Sequence, residues 1–136
     1  MMTALEPSES CAIRRTTTET MRNEPESGGV ARRLVAKCLA DWGAAAVVDD
    51  AQLIVSELVA NVHRHTGCRY LAVLVRVDGP LVRIAVRDSS RTLPVVIHSG
   101  TKETSGRGIA LVAALAHRWG TEEASYGKWV WAELRL

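Results

Sequence analysis

Two runs rich in β-branched residues, YLAVLVRV (Tyr70 to Val77) and LVRIAVRD (Leu81 to Asp88), are separated only by Asp78-Gly79-Pro80, and this feature restricts the fold most tightly. Branched side chains are stiff at χ1 and pack well on a pleated surface, while Gly-Pro punctuation reverses the chain. The pair therefore reads as an antiparallel hairpin at the centre of a sheet. A second, closing hairpin is expected from GTEEA and WVWAELRL around Ser125-Tyr126-Gly127-Lys128.

Helical periodicity surrounds these strands. Val30, Leu34, Val35, Cys38, Leu39 and Trp42 recur on one helical face, with Gly43 placed as a C-terminal cap. A second helix is predicted after the acidic pair Asp49-Asp50, through AQLIVSELVANVHRH to Gly67, with Ala51, Ile54, Val55, Leu58 and Val62 facing inward. A third runs from Arg107 to Trp119. The order helix, helix, strand, strand, helix, strand, strand predicts an α+β fold, a two-layer α/β sandwich with helices on one face of a mostly antiparallel sheet. The domain is expected to span residues 30–136. Residues 1–29, rich in Ser, Thr, Glu and Pro, are expected to be a flexible segment in which only CAIRR (Cys11 to Arg15) suggests a strand.

With 136 residues the chain suits one domain. Its 17 basic residues against 15 acidic ones give a net charge of +2, too even a balance to point to nucleic acid. The longest apolar run, Ile109 to Ala116, falls far short of the roughly 20 residues that cross a bilayer. No membrane association is expected. The polar start MMTALEPSES lacks a signal-peptide pattern, and the three cysteines include no CxxC pair, so a reducing, cytoplasmic setting is expected.

Three features carry candidate chemistry. Glu57 and Asn61 are four residues apart on one helical face, where an amide oxygen can ligate Mg²⁺ and a carboxylate can take a proton. The same spacing also describes an ordinary solvated helix face. Asp88 ends an apolar strand and opens a long loop, where it can accept a hydrogen bond from an exocyclic amine or simply cap a turn with Ser89 and Ser90. Ser105-Gly106-Arg107-Gly108 leads into a helix, so Gly106 and Gly108 permit close backbone approach to a phosphate and Arg107 adds charge. A flexible approach to a helix explains that pattern as well. His63 and His65 face different directions and do not suggest zinc with Cys68. Trp129 and Trp131 share one sheet face and are expected in core or helix-to-sheet packing. The pairs Arg14-Arg15 and Arg32-Arg33 read as solvated surface.

Taken in order, these motifs resemble a known set. ELVANVHRH (Glu57 to His65) is similar to an N-box, VRDSS (Val86 to Ser90) to a first glycine box, and SGRGIALVAALAHRWG (Ser105 to Gly120) to a second. With ARRLVAKCLADWG and the ending GKWVWAEL, residues 30–136 resemble the anti-sigma-factor serine-kinase branch of the histidine-kinase-like (GHKL) ATPases. The resemblance implies binding of ATP and Mg²⁺, with Asn61 holding the metal on the phosphates and Glu57 as general base toward a partner's serine. It implies that Asp88 recognises adenine, that residues 91–105 form a lid, and that Gly106, Arg107 and Gly108 meet the phosphates. The partners it implies are a sigma factor and a small antagonist protein, and it allows a homodimer through the sheet side. Ser90 stands where the family usually has glycine, and Gly127-Lys128 where a threonine is common. Those departures make a nucleotide-responsive or nucleotide-free binding module of the same fold the alternative.

Overall fold

A computed structural model describes residues 13–88 and 102–136, with side chains over 13–88 and 109–136. Strand β1 (Arg14–Arg22) is followed by helix α1 (Ser27–Asp41), a single 3₁₀ turn (Ala45–Val47) and helix α2 (Val48–His65). Then come β2 (Tyr70–Asp78), β3 (Leu81–Asp88), helix α3 (Lys102–Leu115), β4 (Arg118–Glu123) and β5 (Lys128–Arg135). The strands form a five-stranded sheet in the order β1-β2-β3-β5-β4, and every pairing is antiparallel. The fold is α+β, with the expected central hairpin turning at Gly79, whose φ is +60°.

Strand alternation divides the sheet into two unlike faces. Leu71, Val73 and Val75 of β2, Val82, Ile84 and Val86 of β3, and Val130, Ala132 and Leu134 of β5 are buried in one cluster. Val35 and Leu39 of α1, Ile54, Val55 and Leu58 of α2, and Val112 of α3 complete that cluster, so the helices cover this face. The end of α1 has a physical stop: Gly43 adopts φ +76°, and Ala44 N–H reaches back to the Leu39 carbonyl at 2.8 Å.

Three expectations need correction. Residues 14–22 belong to the sheet, and α1 begins at Ser27 rather than Val30, so the folded unit starts well inside the segment 1–29 expected to be flexible. RRTTTETMR is mostly exposed on both faces and carries no apolar alternation. Its strand character comes from β-branched threonines and from pairing along all of β2, from Arg14↔Asp78 to Arg22↔Tyr70. A polar clamp fixes the far end: Asn23 donates to the Cys68 carbonyl at 2.9 Å, and its Oδ1 meets His63 Nδ1 at 2.9 Å.

The second correction concerns the tryptophans. Trp129 and Trp131 do share a face, but it is the one turned away from the helices. There Arg83 lies over the Trp131 ring at 4.1 Å and Arg87 over Trp129 at 5.8 Å, which satisfies the indoles with cations instead of core side chains. Trp131 covers Gly120, where an added Cβ would stand 3.0 Å from the ring. Between these cations Glu133 receives Arg83 at 2.9 Å and Arg118 at 2.8 Å. Burial pushes the Glu133 carboxyl up, but the hydrogen bonds and charges of Arg118 and Arg83 outweigh it and hold the group below the usual carboxylate range.

The third correction concerns α3. Its first residue is Lys102, so Gly106 and Gly108 lie within the helix and not at the approach to it. Glycine in a helix interior costs about 1 kcal/mol relative to alanine, so this end of α3 is locally weak. Among the described residues, no helix is long and apolar enough to cross a membrane.

Candidate functional site

Helix α2 packs against α1, α3, β3 and β5, and one of its faces carries a polar stripe. Glu57, Asn61 and His65 follow at intervals of four and so share a face. Asn61 is buried among apolar neighbours at 8% exposure, while Glu57 is half-buried. A buried carboxamide ordinarily finds hydrogen-bond partners. Among the described residues neither the Asn61 carboxamide nor the Glu57 carboxylate has a side-chain hydrogen bond or ion pair.

The stripe leads to the sheet. His65 is held below its usual pKa first by burial, then by the charges of Arg64 and Lys128, which places Lys128 within electrostatic reach of the end of α2. Lys128 begins β5 directly opposite Asp88, the last residue of β3. Both are buried, at 6% and 3% exposure, and Lys128 Nζ donates to Asp88 Oδ2 at 3.3 Å. Asp88 Oδ1 is buried without a hydrogen-bond partner among the described residues. A carboxylate oxygen left in that state costs about 1–3 kcal/mol, and more for a charged group, unless a donor arrives.

Gly127 closes the other side of Asp88. Its φ is +94°, and an added Cβ would stand 1.9 Å from the Asp88 carbonyl oxygen and 2.8 Å from Oδ1. Only a residue without a side chain lets the closing hairpin approach so near. An orphaned carboxylate oxygen beside a glycine-lined approach fits the amine of a nucleobase. The phosphate-facing candidates are placed only by backbone: Gly106, Arg107 and Gly108 lie in α3, and their side chains fall outside the described residues. Ser90 and residues 91–101 of the expected lid at 91–105 also lie outside them, while residues 102–105 are not loop but the first turn of α3.

Thus β3 and β5 set Asp88 against Lys128 at one end of the sheet, within electrostatic reach of the end of α2, the helix that carries Glu57 and Asn61. Sequence reasoning missed Lys128 as a site residue. The signal was available, because Lys128, Val130, Ala132 and Leu134 alternate with the tryptophans and share the helix-covered face. Among the described residues no cluster of His, Cys, Asp or Glu is placed to hold a metal, and His63 and Cys68 serve the Asn23 clamp instead.

The family model of the histidine kinase-like ATPase domain matches residues 21–134. That match covers most of the chain, and the protein belongs to the histidine kinase-like ATPase domain family. Its class is therefore that of an ATP-binding regulatory protein of the GHKL type. No curated protein matches the chain significantly.

Proposed function

We propose that the protein is a cytoplasmic Mg-ATP-dependent serine kinase and switch of the anti-sigma-factor type, acting on a small antagonist protein and binding a sigma factor. The observation that carries this reading is the buried Asp88, whose Oδ1 has no hydrogen-bond partner among the described residues, alongside a helix that carries a buried Asn61 and a half-buried Glu57 four residues apart. When bound, Mg-ATP supplies the phosphoryl group to be transferred and the charge neutralisation that transfer requires. Asn61 offers its amide oxygen to the metal, and Asp88 Oδ1 offers an acceptor to the base. Glu57 takes the proton from the partner's serine hydroxyl as the oxygen–phosphorus bond forms and ADP departs.

Isothermal titration with ATP, with and without Mg²⁺, tests the reading together with two variants. Saturable Mg-dependent binding is expected in the wild type and in Glu57→Ala, and its loss in Asn61→Ala. Phosphotransfer to the antagonist should vanish in Glu57→Ala while ATP binding persists. No binding at millimolar ATP in the wild type would refute the kinase and favour a nucleotide-free partner-binding module.

A further inference from the structure

Lys128 does more than neutralise a neighbour. A buried ion pair is weak as a stabilising device, since matched apolar side chains at the same positions generally serve a fold as well or better. Here the pair lies at the open end of β3 and β5 rather than in mid-sheet, beside the stripe of α2. It also leaves Asp88 half used: Oδ2 takes the ammonium, and among the described residues Oδ1 has no partner. An ammonium carries three donors, and among the described residues Lys128 makes one hydrogen bond, to Asp88.

We propose that Lys128 is a specificity-determining residue of the nucleotide site, forming with Asp88 a donor–acceptor couple that accepts both 6-amino and 6-oxo purine nucleotides. This rests on the nucleotide-binding reading above. A 6-aminopurine presents an N–H donor at position 6 beside an acceptor at N1, whereas a 6-oxopurine presents the reverse, an oxygen acceptor beside an N1–H donor. A lone carboxylate matches the first edge and repels the carbonyl of the second. With an ammonium beside it, the reversed edge is matched as well, the carbonyl accepting from Nζ and N1–H donating to Oδ1. The couple is held in place, because the β3–β5 pairing sets Asp88 against Lys128 and Gly127 lies so close to the Asp88 carbonyl that no side chain fits between them.

The experiment compares ATP with inosine triphosphate by titration calorimetry, in the wild type and in Lys128→Met, with Lys128→Arg retaining a charged donor. Sites built to hydrogen-bond a polar group reject analogues that lack it, so inosine triphosphate should bind the wild type within about tenfold of ATP, and Lys128→Met should widen that ratio by about tenfold or more. Lys128→Arg should keep the narrower ratio. Wild-type binding of ATP with inosine triphosphate more than about tenfold weaker overturns the proposal without any variant, as does a ratio unmoved in folded Lys128→Met. If the wild type binds neither nucleotide, the nucleotide-binding reading itself falls and the proposal falls with it.

Discussion

Gly127 offers the sharpest test of how the site is built. Three described glycines have positive φ: Gly43 at +76°, Gly79 at +60° and Gly127 at +94°. At Gly43 and Gly79 an added Cβ meets nothing within 4 Å, so alanine there suffers only the left-handed backbone, about 1–2 kcal/mol. At Gly127 the same Cβ would stand 1.9 Å from the Asp88 carbonyl oxygen, a backbone atom that cannot swing aside. The closing hairpin must move away from β3, which adds an overpacking cost of about 1–3 kcal/mol. Gly127→Ala should therefore lose about 2–5 kcal/mol in total, a large share of the roughly 5–15 kcal/mol that holds a domain of this kind together. Urea unfolding of the three alanine variants measures the difference, provided the slopes stay alike. ATP titration then shows whether the displaced Asp88 has lost the base: Gly127→Ala should bind more weakly, and Gly79→Ala should bind like wild type. Equal stability losses at all three glycines would mean that the contact with Asp88 contributes nothing and that backbone conformation alone decides.

Glu133→Gln should cost about 1.5–3 kcal/mol at neutral pH, because two arginines lose a charged acceptor in a largely buried position. The folded Glu133 carboxyl lies below its ordinary value, so its stabilisation is complete above the unfolded pKa and fades as pH falls through the folded one. Urea midpoints of wild type and Glu133→Gln should accordingly converge in acid, and a gap that stays constant with pH would refute the assignment. Asn23→Ala removes the bonds to Cys68 and His63 and should cost about 1–2 kcal/mol, with amide exchange accelerating first along β1.

The fold was legible wherever burial imposed a period. The β2–β3 hairpin and helices α1 and α2 announce themselves because one face of each is packed and the other wet. Strand β1 did not, since exposed threonines carry no alternation and its pairing with β2 is a long-range fact. The tryptophans were assigned to the wrong face for a related reason: size and apolarity suggest a core, but Arg83, Arg87 and Arg118 provide partners that sequence distance conceals. Glu57, Asn61 and Asp88 stand out as candidates in the sequence because their spacing and strand-end position are local properties. Lys128 was overlooked as a departure from a motif although its alternation placed it beside Asp88.

The two charged constellations also solve a problem that apolar patterning leaves open. On the helix-covered face β3 and β5 match Val82 with Leu134, Ile84 with Ala132 and Val86 with Val130. Sliding one strand by a single residue would invert its faces, but sliding by two would still set apolar against apolar at most of these positions. Charge forbids that second slip. Displacing the pairing by two residues in one direction would put Lys128 opposite Val86, separating it from Asp88, and Glu133 opposite Leu81, where it would lose Arg83 and keep only Arg118 of β4. Losing a partner in a buried pair costs about 3–5 kcal/mol, so separating Asp88 from Lys128 disfavours the slipped register, and the loss of Arg83 from Glu133 adds to it. The Asp88–Lys128 pair at the end of β3 and β5 and the arginine–glutamate cluster on the open face therefore act together as a register lock. One half of that lock, Asp88 with Lys128, is the same pair that would read the base, so correct strand pairing and a competent site arise from a single alignment.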